Sequence, residues 1–195
     1  MDLEALASGK LAHLPRGLLD HCWRVSQTAR LLAAPADVDA ERAALGGLLH
    51  DVARAYSDQE LLAATARYGL SVDEVEQRTP VLLHGPVGAA WARRELGIDD
   101  EEILQAVAWH STGRGPMTTL EKVVFLADKL EPEKGERYPD RDTLLATAQR
   151  DINAALIVCL DQQLRYLLER SALLHPASIA ARNAALIARA MPPLH

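Results

Sequence analysis

Aromatic residues are scarce in this 195-residue chain, at 4% with a single phenylalanine, and cysteine occurs only at Cys22 and Cys159. Two cysteines so far apart make neither a CxxC pair nor a disulfide framework, which points to a reducing, cytoplasmic setting. Positive charge is not in excess either. The formal net charge is −6, with acidic and basic residues interleaved, so the electrostatic footprint of a protein that tracks nucleic-acid phosphates is missing. No apolar run approaches ~18 residues, and no basic segment followed by an apolar stretch opens the chain. These absences exclude a nucleic-acid polymer and a membrane as partners, and lead us to expect a soluble cytoplasmic protein.

What the chain does contain is helix-forming material. Hydrophobic residues make up 49% and charged residues 25%, with Ala, Leu, Glu and Arg prominent, and these residues lose little on entering a helix. The sequence predicts an all-α fold. One domain is expected over residues 1–195, with a core over about 18–130 and two C-terminal helices over about 140–190. A chain of this length hides about 70% of its unfolded surface without cross-links. Apolar spacing predicts one helix from Leu18 to Leu32 and a second from Asp39 to Ala55. Ser57 and Glu60 form a capping box that opens a third, and Ser71 with Glu74 opens a short fourth. His84-Gly85-Pro86 starts a fifth helix closed by Gly97, and Asp99 with Glu102 a sixth that runs to His110. Thr118 and Glu121 cap a mostly buried seventh. One long helix is expected from Arg141 to Leu173, and a last one begins at Pro176. Trp23, Trp91 and Trp109 keep helical spacing among apolar neighbours and are expected in the core. His13 and His175, in proline-flanked turns, are expected in solvent.

The chemistry gathers in polar residues at the edge of this core. Leu45, Leu48, Leu49 and Val52 have the spacing of a core-facing helix, and His50 and Asp51 lie within it. Arg54 follows Asp51 by about one turn, where a guanidinium is placed to hold an anionic group. Gly46 and Gly47 cost roughly 1 kcal/mol each in a helix interior, a local irregularity that suggests close approach of another backbone. Asp128, set among Phe125, Leu126, Ala127 and Leu130, is expensive to bury without a cation, a proton or several donors. His21, His50, Asp51, His84, His110 and Asp128 come from different predicted helices, the adjacent pair apart. A helical bundle projects such residues into one central site. Imidazoles with carboxylates suit Fe, Mn, Co, Ni or Zn rather than a soft, thiolate-bound metal. Gly113-Arg114-Gly115, in the loop that follows His110, reads as a phosphate-binding loop, with Lys129 and Lys134 as further phosphate contacts. No serine or cysteine nucleophile with a base is evident, so direct attack by an activated water is expected.

His21, His50-Asp51 and Asp128, in that order, resemble the H…HD…D pattern of the HD-domain phosphohydrolases, an all-helical superfamily. Four motifs are more narrowly similar to the YqeK family. They are Gly47-Leu48-Leu49-His50-Asp51, Leu83-His84-Gly85-Pro86-Val87-Gly88-Ala89, His110-Ser111-Thr112-Gly113-Arg114 and Ala127-Asp128-Lys129-Leu130-Glu131-Pro132, and the likeness spans about Leu18 to Asn183. The resemblance implies a binuclear, typically iron-bound hydrolase that splits diadenosine tetraphosphate symmetrically into two ADP. It implies that His21, His50, Asp51 and Asp128 hold one metal ion, and that His84, His110 and a bridging Asp51 hold the second. On this reading Asp51 and Arg54 serve catalysis, while Arg54, Thr112, Gly113, Arg114 and Lys134 contact substrate. The family's usual lysine is Arg54 here. Its usual arginine after the Glu-Pro pair is Lys134, with Arg137, in a longer segment, as the alternative. The expected partners are a dinucleoside polyphosphate or a nucleoside diphosphate, with a homodimer left open. Two alternatives stand beside this: another HD phosphohydrolase acting on guanosine tetraphosphate or a nucleoside monophosphate, and a nucleotide-sensing module that binds without turnover.

Overall fold

The computed structural model describes residues 2–134 and 140–189 and builds them from helices, with no strand among the described residues. In chain order these are α1 (Leu3–Ser8), α2 (Arg16–Ala33), α3 (Ala40–Leu49), α4 (Asp58–Tyr68), α5 (Glu74–Arg78), α6 (His84–Leu96), α7 (Glu101–Trp109), α8 (Thr119–Leu130), α9 (Arg141–Arg150), α10 (Ile152–Glu169) and α11 (Pro176–Ala188). Short 3-10 turns occupy Ala34–Ala36, Pro80–Leu83 and Pro132–Lys134. No helix among the described residues is long and apolar enough to cross a membrane.

The architecture is organised around α8. Its run Val123 to Ala127 is apolar on every side, and all five residues are fully buried, including Phe125. A helix with apolar residues all round has to be enclosed. Here α2, α3, α7, α9 and α10 pack against it. Each large side chain so buried contributes roughly 1.5–3 kcal/mol. The most extensive helix contact among the described residues is between α2 and α3, and it depends on Gly47, while Gly46 admits α8. A Cβ at Gly47 would lie 2.9 Å from the Cα of Ser26 in α2, and one at Gly46 would lie 3.0 Å from Val124 in α8. A smaller apolar cluster, Ala53, Leu61, Ala64, Leu83 and Val87, sits under α4. Trp23 and Trp91 pack on the core, whereas Trp109 is half-buried beside a surface groove and donates its Nε1–H to Gln105.

Several boundaries differ from the sequence-based expectation, each for a local reason. α3 stops at Leu49 instead of running to Ala55. Beyond it the chain tightens into successive turns, with Val52 N–H on Leu49 O at 3.2 Å and Arg54 N–H on Asp51 O at 2.9 Å. Such turns return every three residues, so they keep nearly the apolar spacing of a helix. The expected single helix from Arg141 to Leu173 is broken at Asp151, which is extended (φ −150°, ψ 93°) and caps α10 by accepting from Ala154 N–H. Asp73 with Glu76, not Ser71 with Glu74, forms the capping box of α5. Asp100, not Asp99, caps α7. It also takes a two-pronged pair from Arg42 in α3, at 2.7 Å for both contacts, so the choice between neighbouring aspartates is tertiary.

The crossing of α6 over α7 is closest at Gly85, where a Cβ would sit 2.4 Å from Ala108 O. Gly85→Ala must therefore push the two helices apart and is expected to cost about 2–3 kcal/mol. Gly17→Ala in α2, where a Cβ meets nothing within 4 Å, is expected to gain up to about 1 kcal/mol. Urea denaturation of both variants checks the pair, and equal effects would contradict the close crossing.

Candidate metal centre

The histidines reach their positions through helix ends. His50 directly follows α3, His110 directly follows α7, and His84 closes the 3-10 turn Pro80–Leu83 and opens α6. At such ends the carbonyls of the last turn lack partners in the helix. Each of these rings bonds a carbonyl three residues earlier, which for His84 also accepts its own backbone N–H. His50 Nδ1 bonds Gly47 O at 2.7 Å, His110 Nδ1 bonds Val107 O at 2.8 Å, and His84 Nδ1 bonds Val81 O. His21, inside α2, instead places Nδ1 3.3 Å from Glu131 Oε1. A carbonyl or carboxylate oxygen only accepts, so Nδ1 carries the proton in all four rings. Each Nε2 is then the nitrogen left to face the centre.

The four Nε2 atoms converge on Asp51. Its Oδ1 lies 3.0 Å from His84 Nε2 and 3.4 Å from His110 Nε2, and its Oδ2 lies 3.6 Å from His50 Nε2 and 3.7 Å from His21 Nε2. Asp128 Oδ1 approaches the second pair, at 3.4 Å from His21 and 3.7 Å from His50. Nitrogen faces nitrogen within each pair, at 3.2 Å for His21 and His50 and 3.0 Å for His84 and His110. Burial pushes the His50 imidazole down to about 4 and lowers that of His110 as well, so neither ring takes up a relieving proton at neutral pH. Burial raises the Asp128 carboxyl, but the ammonium of Lys129 at 3.0 Å, together with His21, His50 and Lys134, outweighs it and holds the group well below the usual carboxylate range. Facing lone pairs and buried carboxylates demand cations. Neighbouring ligand atoms on a divalent ion at about 2.1 Å lie roughly 3.0–3.4 Å apart, which is the spacing within each pair. The donor set therefore fits divalent metal, in two halves that share Asp51.

A cleft of about 310 Å³ opens onto this point. Its walls carry Arg54, Lys129 and Lys134 on the cationic side, with Val81, Leu82 and Leu167 as an apolar face and Ser111 and Gln163 as polar uncharged groups. Arg54 is exposed, and no carboxylate pairs with it among the described residues. Lys134 Nζ stands 3.4 Å from Asp128 Oδ1. Lys129 is buried, donates to His110 O at 2.7 Å, and lies 4.1 Å over the Phe125 ring. Ser111 Oγ touches Nε2 of both His84 and His110.

Other sequence-based expectations are corrected here. Thr112, Gly113 and Arg114 do not line the cleft. Gly113, at φ +68°, turns the chain out of α7 and packs toward Ala181 of α11, while Thr112 is buried and bonds Gly113 O. Arg114 Nε is 2.6 Å from Oε1 of Glu121, a fully buried carboxylate, so its charge is already used. Arg137 lies outside the described residues. His175 is buried, not solvated. It caps α11 by accepting from Ala177 N–H at Nδ1, which leaves the proton on Nε2, facing Asp73 at 3.2 Å and Glu76 at 3.7 Å. That tautomer turns the N–H side of the ring toward the carboxylates, the reverse of the four rings above, without completing a hydrogen bond to either. Sequence reasoning gave no role to Ser111, Gln163 or Glu131. The first two are polar residues of a common type, and only proximity distinguishes them.

Helices that bring four imidazoles and two carboxylates to one cationic cleft define an all-α protein with a donor cluster that could hold divalent metal. The chain belongs to the HD-domain family, whose model matches residues 18–133. It is 34% identical to a symmetrical bis(5'-nucleosyl)-tetraphosphatase of Halalkalibacterium halodurans, over 90% of this chain and 92% of that protein. It is 32% identical to one of Bacillus subtilis, over 84% and 86%. A crystal structure described as a predicted HD superfamily hydrolase involved in NAD metabolism, from Clostridium acetobutylicum, superposes with a TM-score of 0.89 at 31% identity, covering 97% of this chain and 98% of that one.

Because Arg114 serves Glu121 and not the cleft, Arg114→Ala is expected to lower unfolding stability by about 2 kcal/mol. Metal content should not change. Denaturant titration with elemental analysis tests this, and an unchanged stability with weakened nucleotide binding would return Arg114 to the site.

Proposed function

We propose that this protein is a metal-dependent hydrolase that adds water across the central phosphoanhydride of diadenosine tetraphosphate and releases two ADP. The observation that carries this reading is the shared carboxylate, since Asp51 offers one oxygen to each half of a six-residue donor set at the floor of a cationic cleft. The names of the two tetraphosphatase relatives support the choice of substrate. In this reading His21, His50, Asp51 and Asp128 hold one divalent ion, and His84, His110 and Asp51 hold the second. The ion is iron first, with Mn, Co, Ni and Zn compatible with the same donors. When bound, two such ions supply Lewis acidity toward phosphoryl oxygens and an acidified water.

The chain's own residues supply the rest. Arg54, with no carboxylate partner among the described residues, offers a planar fork of donors to phosphoryl oxygens. Lys129 and Lys134, on the Asp128 side, add positive charge where negative charge builds as the anhydride breaks, and charge placed there lowers the barrier. Val81, Leu82 and Leu167 give a nucleoside end an apolar surface beside the Gln163 amide, which is held by its bond to Ser111 O at 3.0 Å. Both cysteines are free and buried, in keeping with work on nucleotides in a reducing cytoplasm.

Purified protein is expected to carry two metal equivalents and to yield two ADP per substrate consumed, by elemental analysis and nucleotide chromatography. Asp51→Ala should lose both equivalents and all turnover while staying helical by circular dichroism. Arg54→Ala should keep its metal and lose about 100-fold in turnover. Full activity in protein shown to be metal-free after chelation would overturn the proposal.

A further inference from the structure

His21 differs from the other three rings in what holds its Nδ1 proton. His50, His84 and His110 each use a backbone carbonyl three residues earlier, in the last turn of a helix or of a 3-10 turn. His21 sits within the 18-residue α2, where the carbonyls one turn back are committed to the helix ladder. Its acceptor has to come from elsewhere in the fold, and it is Glu131 Oε1, 110 residues away in sequence and directly after α8. Glu131 is 1% exposed. Its other oxygen takes Arg24 Nε at 2.8 Å and Glu133 N–H at 3.0 Å. Arg24 is one turn beyond His21 on the same helix and also pairs with Glu133 at 2.6 Å. A buried carboxylate with three donors has a fixed place and direction.

We infer that Glu131, locked by Arg24, is a positioning residue that orients His21 and makes the two halves of the metal centre unequal. This rests on the metal-dependent reading above. A carboxylate behind an imidazole fixes its tautomer and rotation and makes Nε2 a stronger donor than a carbonyl does. Of the four rings only His21 has this backing, and His21 belongs to the half that also includes His50 and Asp128. That half therefore binds its ion more tightly than its own exposure would suggest, and removing the carboxylate weakens it selectively. Glu131 does not line the cleft and reaches none of the converging Nε2 atoms, so it acts through His21.

The test is titration of chelated, full-length protein with Co²⁺ alone, following visible absorption and calorimetric heat. Wild type is expected to take up two resolved equivalents. Glu131→Gln keeps the side-chain size but removes the charge, and should weaken one equivalent by about 10–100-fold while the other stays within about twofold and its absorption band is unchanged. Glu133→Gln, at an exposed neighbour, should leave both as in wild type. If Glu131→Gln does not fold, Glu131→Asp, which keeps the charge but draws the oxygen back from His21, should weaken the same equivalent. Parallel weakening of both equivalents, together with a lowered melting temperature, would mean that Glu131 is only a structural tie and would overturn the inference, as would wild-type binding of both. Failure of the wild-type protein to bind two equivalents would instead overturn the metal reading on which this rests.

Discussion

An imidazole can offer a lone pair to a metal only if its proton is held on the other nitrogen, and four rings aimed at one point need that condition met four times. Here it is met by three carbonyls in the last turns of helices or a 3-10 turn and by one buried carboxylate. The result is two pairs of nitrogens that face each other 3.0 and 3.2 Å apart. Without a cation that arrangement is repulsive. With one, the repulsion becomes the binding energy of the site. Much of the surrounding architecture can be understood as the means of keeping those rings from turning away.

Two features of the helix packing serve that end. The approach of α3 to α2 at Gly47 brings His50 against His21, and the same glycine's carbonyl holds the His50 ring. The enclosed helix α8 delivers Asp128 and Lys129 from its last turn, so the anionic ligand arrives with an ammonium beside it. Asp51 then spans the two histidine pairs with its two oxygens. Positive charge is concentrated at the cleft although the chain as a whole is acidic. Such local focusing is what polyphosphate binding requires of a protein with net negative charge.

The all-α class, the capping boxes at Ser57 and Thr118 and the enclosed seventh helix were legible because each depends on residues within one or two turns. So was the gathering of the six histidine and aspartate residues, since polar groups on apolar helix faces have few stable alternatives. Errors arose where a choice depended on a distant partner. Asp100 prevails over Asp99 because Arg42 reaches it from α3. Arg114 has the sequence surroundings of a phosphate contact, yet Glu121 neutralises it. His175 looked solvated because a proline-flanked turn says nothing about Asp73 and Glu76 a hundred residues earlier. Glu131 received no role from the sequence because its neighbours, His21 and Arg24, are 110 and 107 residues away along the chain.

Residue types, their helical period and the balance of charge determined, with no coordinates, an all-helical chain carrying imidazole and carboxylate chemistry suited to intermediate divalent metals. Tertiary structure decided which nitrogen of each ring faces the centre, which oxygen of Asp51 serves which pair, and that Arg54 stands uncommitted where Arg114 does not. Those outcomes are set by hydrogen bonds and ion pairs between segments tens of residues apart. Such bonds exist only once the helices have packed, and local sequence carries no record of them.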